Sequence, residues 1–142
     1  MLTRRNTIIG GALAIAATPR GAWAVEETAE NAIRLFAGAD EVREDVVDIQ
    51  LPEVAENGNR VSLTLAAPGA RSLMFIAPKN PIPKIAEVEF GPLTQPEITM
   101  NIRLAETQEV IALARRDDGV FQSKRFITVV VGGCGPIAPT EG

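Results

Sequence analysis

The sequence predicts an all-β protein: an immunoglobulin-like antiparallel β-sandwich with a short N-terminal helix and a flexible, glycine-rich C-terminal arm. Three observations predict it. Apolar residues alternate with a period of two through most of the chain, turn signals punctuate them at close intervals, and no long helical stretch intervenes. An eight-stranded barrel is the competing architecture, and strand order is not legible from these features.

The chain opens with MLTRRNTIIGGALAIAATPRGAWA, which reads as an export signal and not as part of the fold. Arg4 and Arg5 supply the charge, Ile8 to Ala17 is a short apolar run, and Ala22-Trp23-Ala24 is a small-residue cleavage site, so Val25 is expected to begin the mature chain. A run of that length is too short to cross a hydrocarbon core of ~30 Å. The Arg4-Arg5 pair resembles the twin-arginine export motif, with an ordinary secretory signal as the alternative. Either route leads to the periplasm. Cleavage after residue 24 takes three arginines and no acid from the 14 basic and 18 acidic residues, leaving 118 residues with a net charge of −7. No lipidation cysteine follows the site, so the mature protein is expected to be soluble, without a membrane anchor.

From Glu26 to Ala37 the spacing of Ala29, Ile33 and Phe36 predicts a helix, with acids at its start and Gly38 as its cap. The period then changes to two. Val47, Ile49 and Leu51, then Val61, Leu63 and Leu65, then Leu73, Phe75 and Ala77 read as half-buried strands. Ile85, Val88 and Phe90 form a less regular run, and the break near Ala86 predicts a bulge. Ile98 to Leu104 and Val110 to Ala114 resume the alternation. Asp117-Asp118-Gly119 predicts a hairpin turn, with a last strand from Phe121 to Val131; Asn57-Gly58 is a turn signal of the same kind. About seven strands in one domain, residues 25–131, are expected, followed by the arm, residues 132–142.

The composition also excludes functions. The acidic balance disfavours nucleic acid as a partner. The chain has no histidine and no tyrosine, so it offers no imidazole for a Cys-His or Ser-His-Asp unit. One cysteine without histidine makes a zinc site improbable and excludes C-x-x-C-H haem attachment. The expectation is a protein without a cofactor, catalytic residue or metal ligand of its own.

That single cysteine, Cys134, stands in Gly132-Gly133-Cys134-Gly135, directly after the last predicted strand. A free thiol with a pKa of ~8.5 is a few per cent thiolate at neutral pH, enough to react without a dedicated base. Three extended residues beyond the strand carry its sulfur ~10 Å from the domain. Glycines keep that strip narrow enough to enter a cleft that side chains would block. The arrangement suits a covalent group carrier. A frayed tail and an interchain disulfide in a structural subunit are the other readings, as is a thiol enzyme acting alone.

Several tracts, in this order and spacing, resemble the SoxY family, the sulfur-carrier subunits of the periplasmic Sox thiosulfate-oxidising system. They are Leu51-Pro52-Glu53-Val54-Ala55-Glu56-Asn57-Gly58, Lys79-Asn80-Pro81-Ile82-Pro83, Ile102-Arg103-Leu104-Ala105, Gln108-Glu109-Val110, Asp118-Gly119 and Val131-Gly132-Gly133-Cys134-Gly135. The resemblance implies a sandwich in a tight heterodimer with SoxZ, and Cys134 as the carrier thiol. It implies that a haem enzyme, SoxAX, joins thiosulfate to Cys134 as a cysteine S-thiosulfonate. SoxB, a manganese hydrolase, then releases sulfate, and SoxCD, where present, oxidises the remaining sulfane sulfur. The metals belong to those enzymes. One departure is Pro136, which stands where the family's arm commonly has its last glycine and is followed by Ile137 to Gly142. A tolerated tail, a tail trimmed after export, or a divergent relative serving another sulfur pathway would each account for it. Phe75, Phe90, Phe121 and Phe126 are assigned to core or interface, Arg115-Arg116 to a solvated strand end, and Lys79 to Pro83 to a partner-facing loop.

Overall fold

A computed structural model describes residues 28–45 and 47–131. Helix α1 (Ala29–Ala37) begins where Thr28 accepts the Asn31 N–H on its hydroxyl at 3.2 Å. It ends at Gly38, whose φ of +62° lets its N–H turn back to the Arg34 carbonyl at 3.0 Å. The start is later than the sequence pattern suggests, and Glu30 is the acid in its first turn.

Among the described residues nine strands follow: β1 (Val42–Glu44), β2 (Asp48–Gln50), β3 (Val54–Ala55), β4 (Val61–Ala66), β5 (Ser72–Ile76), β6 (Lys84–Glu89), β7 (Glu97–Ile102), β8 (Gln108–Arg116) and β9 (Gly119–Val129). They form two sheets. The larger runs β1-β9-β8-β5-β6 with β3 also on β9, and the smaller runs β2-β4-β7. Leu63 and Leu65 of β4, Leu73 and Phe75 of β5, Val110 and Ala112 of β8 and Ile127 of β9 fill the space between them. Each large side chain buried there contributes about 1.5–3 kcal/mol. The architecture is the expected immunoglobulin-like sandwich.

Two differences from the sequence pattern have physical causes. The β5 strand is not half-buried: Leu73 and Phe75 face the inter-sheet core, while Met74 and Ile76 lie under α1 with Ala32, Phe36, Leu113 and Val120. The helix covers part of the outer face and makes the alternation in β5 invisible as burial. The count of strands also rises, because β1 and β3 are only three and two residues long. Both pair with β9 in parallel, β1 beside its start (Val42 with Val120) and β3 beside its end (Val54 with Thr128). Between them β2 crosses to the smaller sheet and pairs with β4. Residues 42–45 and 47–55 thus lace the two sheets together along one side. Inward-facing β9 side chains hold the crossing: Ser123 Oγ donates to the Asp45 carbonyl at 3.1 Å, and Arg125 donates to the Ile49 carbonyl at 2.9 Å.

The expected irregularity in β6 is present, since Ala86 pairs with Phe75 and Lys84 with Ile76, leaving Ile85 as the extra residue of a bulge. The hairpin at Asp117-Asp118 is also present, closed by Arg116 opposite Gly119 with φ +138°. The last strand is displaced from the predicted span: it starts at Gly119 and its ladder stops at Val129.

Candidate functional site

The residues singled out from the sequence, Arg4, Arg5, Gly132, Gly133, Cys134 and Gly135, lie outside the described residues, as do Pro136 and the tail after it. The structure describes the mount from which they follow, up to Val131, three positions before the cysteine.

Two stretches of chain, 53–58 and 104–108, converge on that mount. Ahead of it, Thr128 donates to the Glu53 carbonyl at 3.0 Å and Val130 to the Ala55 carbonyl at 2.9 Å, so β3 guides β9 on its free edge. On the other edge the β8 ladder ends with Gln108 opposite Ile127, and the side chain of Thr107 takes over. Its hydroxyl accepts the Val129 N–H at 2.9 Å and donates to the Val129 carbonyl at 3.3 Å, replacing the pair of bonds that another strand residue would have made. Last, Gly58 donates its N–H to the Val131 carbonyl at 2.7 Å and accepts the Leu104 N–H on its own carbonyl at 2.8 Å. Gly58 bridges the end of β9 to the loop before β8.

This gives Gly58 a different role from the one its sequence context suggests. The turn exists, with the Asn59 N–H on Asn57 Oδ1 at 2.9 Å, but the φ of Gly58 is not positive. What the position requires is absence of a side chain. A Cβ there would overlap the Leu104 carbonyl oxygen and stand 2.8 Å from the Val131 oxygen and 2.9 Å from Val129 Cγ1. Two of these obstacles are backbone and cannot rotate away.

The loop that Gly58 grips is fixed in turn by two buried amides. Asn80 donates to the Arg103 carbonyl at 2.8 Å and accepts the Ala105 N–H at 2.9 Å. Gln108 donates to Asn80 Oδ1 and to the Glu106 carbonyl, both at 3.1 Å, and accepts the Lys79 N–H at 3.0 Å. Asn80 is 8% and Gln108 1% exposed; the bond between them is buried and the other four are part-buried. Tracts that lie far apart in sequence, 51–58, 79–83, 102–105 and 108–110, therefore meet at one end of the sandwich. The Lys79 to Pro83 loop is only in part an outward surface: Ile82 is exposed, but Asn80 is an internal strut.

Arg115 and Arg116 also differ from expectation, for they are not a solvated strand end. At the opposite end of the molecule Arg115 bonds the Phe36 carbonyl and Asp40, and Arg116 bonds Asp45, while both guanidinium groups stack on rings, Phe36 and Phe121 respectively. They fasten α1 and the β1–β2 crossing to β8. Phe75 and Phe121 are buried and Phe90 half-buried, as a core assignment requires, whereas Phe126 is open to solvent.

Among the described residues no three His, Cys, Asp or Glu side chains converge to hold a metal ion. No described helix is long and apolar enough to cross a membrane. Chemically, the mount holds a strand end at a defined position from which three residues reach ~10 Å.

Residues 33–134 match the family model described as sulfur oxidation protein SoxY, and the match ends on Cys134. The structure of the sulfur carrier protein SoxY from Chlorobium limicola f thiosulfatophilum is similar, with TM-score 0.65 and 28% identity over 72% of this chain and 96% of that one. A superoxide reductase (neelaredoxin) from Ignicoccus hospitalis superposes with TM-score 0.51 at 17% identity, covering 64% of this chain and 82% of that one. At that identity the likeness shows the fold alone. Among proteins of curated function none matches the sequence.

Proposed function

The chain belongs to the SoxY family of sulfur oxidation proteins, and from that premise we propose that it is a periplasmic carrier on which Cys134 holds thiosulfate-derived sulfur while separate enzymes process it. The observation that carries this reading is the mount: Val131 is gripped by Gly58 three residues before the cysteine at which the family match ends. Such an arrangement serves delivery and not catalysis by the chain itself.

The chemistry balances with the Cys134 thiol as the one group this chain needs to supply. The thiol of Cys134 and thiosulfate form a sulfur–sulfur bond, releasing the thiol proton and two electrons to a haem enzyme of the SoxAX kind. Water then cleaves the terminal sulfur–sulfonate bond, releasing sulfate and two protons and leaving the cysteine persulfide anion. A SoxB-type hydrolase would catalyse that step and a SoxCD-type enzyme would oxidise the persulfide sulfur. A covalent link keeps the sulfane sulfur from diffusing between sites, which noncovalent binding could do only with a preformed pocket. A SoxZ-type subunit as heterodimer partner and export through the Arg4-Arg5 signal complete the proposal.

Intact-mass analysis of the mature chain from cells grown on thiosulfate tests it. The expected spectrum shows sulfur and thiosulfate adducts that disappear in Cys134→Ser, together with loss of thiosulfate oxidation. An unmodified thiol in the native protein, with normal oxidation in the mutant, would falsify the carrier reading.

A further inference from the structure

The larger sheet has an outer face that α1 covers only in part. Met74, Ile76, Leu113 and Val120 lie beneath the helix. Toward the mount no described helix or strand covers the same face. Ile127 and Val129 point into the core, so Phe126, Thr128 and Val130 point outward, and Val54 joins them because it pairs with Thr128 while its neighbour Ala55 is in the core. Phe126 is 61%, Val130 65% and Val54 51% exposed, three adjacent apolar side chains beside the root of the strip.

We propose that Val54, Phe126 and Val130 form the surface on which the enzymes serving Cys134 seat themselves, and that those enzymes meet it with an apolar patch rimmed by lysine or arginine. The proposal rests on the carrier reading and names the contact that reading needs. An enzyme that bonds the sulfur of Cys134 must come within the ~10 Å length of three residues from Val131. Its surface must then cover the ground next to Val131, and on the outer face of the larger sheet that ground is this patch.

Area and charge specify the kind of partner. Two valines and a phenylalanine exposed to this degree offer on the order of 300 Å². A stable protein interface uses ~800 Å² on each side, so this patch suits a complex that forms and releases. Carriers that visit several enzymes need release. Around the apolar centre, Glu53 and Glu56 flank β3 and Glu109 stands directly opposite Phe126 in the ladder, all exposed and none in a salt bridge among the described residues. The basic residues of this face stand farther toward α1: Lys124 beside Ile111, Lys84 bonded to Glu87, and Arg115 bonded to Asp40 at the far end. The rim beside the strip is therefore acidic, which speeds encounter with a basic rim and disfavours acidic surfaces.

The test titrates the mature chain, purified with any subunit it stably binds, into soluble extract of thiosulfate-grown cells lacking its gene, and reads thiosulfate oxidation. For the double variant Phe126→Ser and Val130→Ser, the half-saturating carrier concentration is expected to rise about tenfold while the plateau rate stays. Alkylation of Cys134 by iodoacetamide and the thermal midpoint should be unchanged, since these side chains are solvated. Glu56→Gln with Glu109→Gln should raise half-saturation about twofold and flatten its dependence on salt. Unchanged half-saturation in the double serine variant overturns the proposal, and so does loss of a stably bound subunit or of a homodimer on gel filtration, which would make the patch a permanent interface. Full restoration of oxidation by Cys134→Ser would overturn the carrier reading itself.

Discussion

At the β8–β9 hairpin the protein is tied together by guanidinium groups, whereas at the other end, where β9 gives out toward Cys134, it is tied by amides and backbone. The hairpin end has Arg71 with Asp117 at 2.5 Å, Arg115 with Asp40 and Arg116 with Asp45 at 3.0 Å, and Arg43 donating to the Asp118 carbonyl. Arg43 and Arg116 lie over the Phe121 ring at 4.7 and 4.8 Å. Exposed ion pairs contribute about 0–1 kcal/mol each, and exposed cation–π contacts ~0.5–1 kcal/mol. Long charged side chains can also re-form such contacts after a shift. The mount works differently. Gly58, Thr107, Asn80 and Gln108 act through short, largely buried bonds to main chain, where a lost partner leaves a desolvated group costing about 1–3 kcal/mol. One end is fastened adaptably, the other is held in position, and the positioned end is the one that precedes the thiol.

The sharpest way to break that contrast is at Gly58. In Gly58→Ala the new methyl meets the Leu104 and Val131 oxygens, so the loop and strand end must part. The expected loss is about 2–4 kcal/mol, seen as a fall in the thermal midpoint of more than about 10 °C. A midpoint unchanged within error would mean that the strand end moves freely and that the mount is not a rigid one. Next in size is Asn80→Ala, which leaves the Arg103 carbonyl, the Ala105 N–H and Gln108 short of a partner. A loss of about 2–3 kcal/mol is expected, with faster amide exchange at Leu104 and Ala105. If exchange there is unaltered, the amides do not hold the loop.

How much of this was legible depends on whether the cause is local. Strands such as Val61–Ala66 show themselves by alternation, and the hairpin by Asp117-Asp118-Gly119. In β5 the run Leu73-Met74-Phe75-Ile76 is continuously apolar, which signals burial on both faces, but Leu73, Phe75 and Ala77 also fit a period of two, and the helix that covers Met74 and Ile76 comes from a distant segment. Neither β1 nor β3 has enough residues to show a period; each exists because β9 offers a free edge. Cys134 stood out because it is the only thiol and is set among glycines. Gly58 stood out as a turn residue, yet its reason is three-dimensional crowding by residues some 46 and 73 positions away. Asn80, Thr107 and Gln108 carry no local signal at all, since polar residues before a proline or at a strand start are ordinary on a surface. Only the tracts shared with the SoxY family, which hold Asn80 and Gln108 but not Thr107, hinted that two of them mattered.

The smallest expected effect completes the comparison at the hairpin end. Arg71 and Asp117 have side chains about three-quarters exposed, at 72% and 75%, so water screens their attraction in both the paired and the separated state. The main chain beneath them does not depend on it. Arg71 donates its N–H to the Arg115 carbonyl at 2.7 Å, and β8 and β9 pair down to Arg116 and Gly119. Asp117→Ala should therefore change stability by less than about 0.5 kcal/mol, with the difference vanishing at ~1 M salt, where the screening length falls to ~3 Å. Thermal melts of the two proteins at low and high salt measure it. A loss above about 1 kcal/mol that survives high salt would show the charged end to be as position-critical as the mount, and the asymmetry between the ends would then have no bearing on where the thiol is carried.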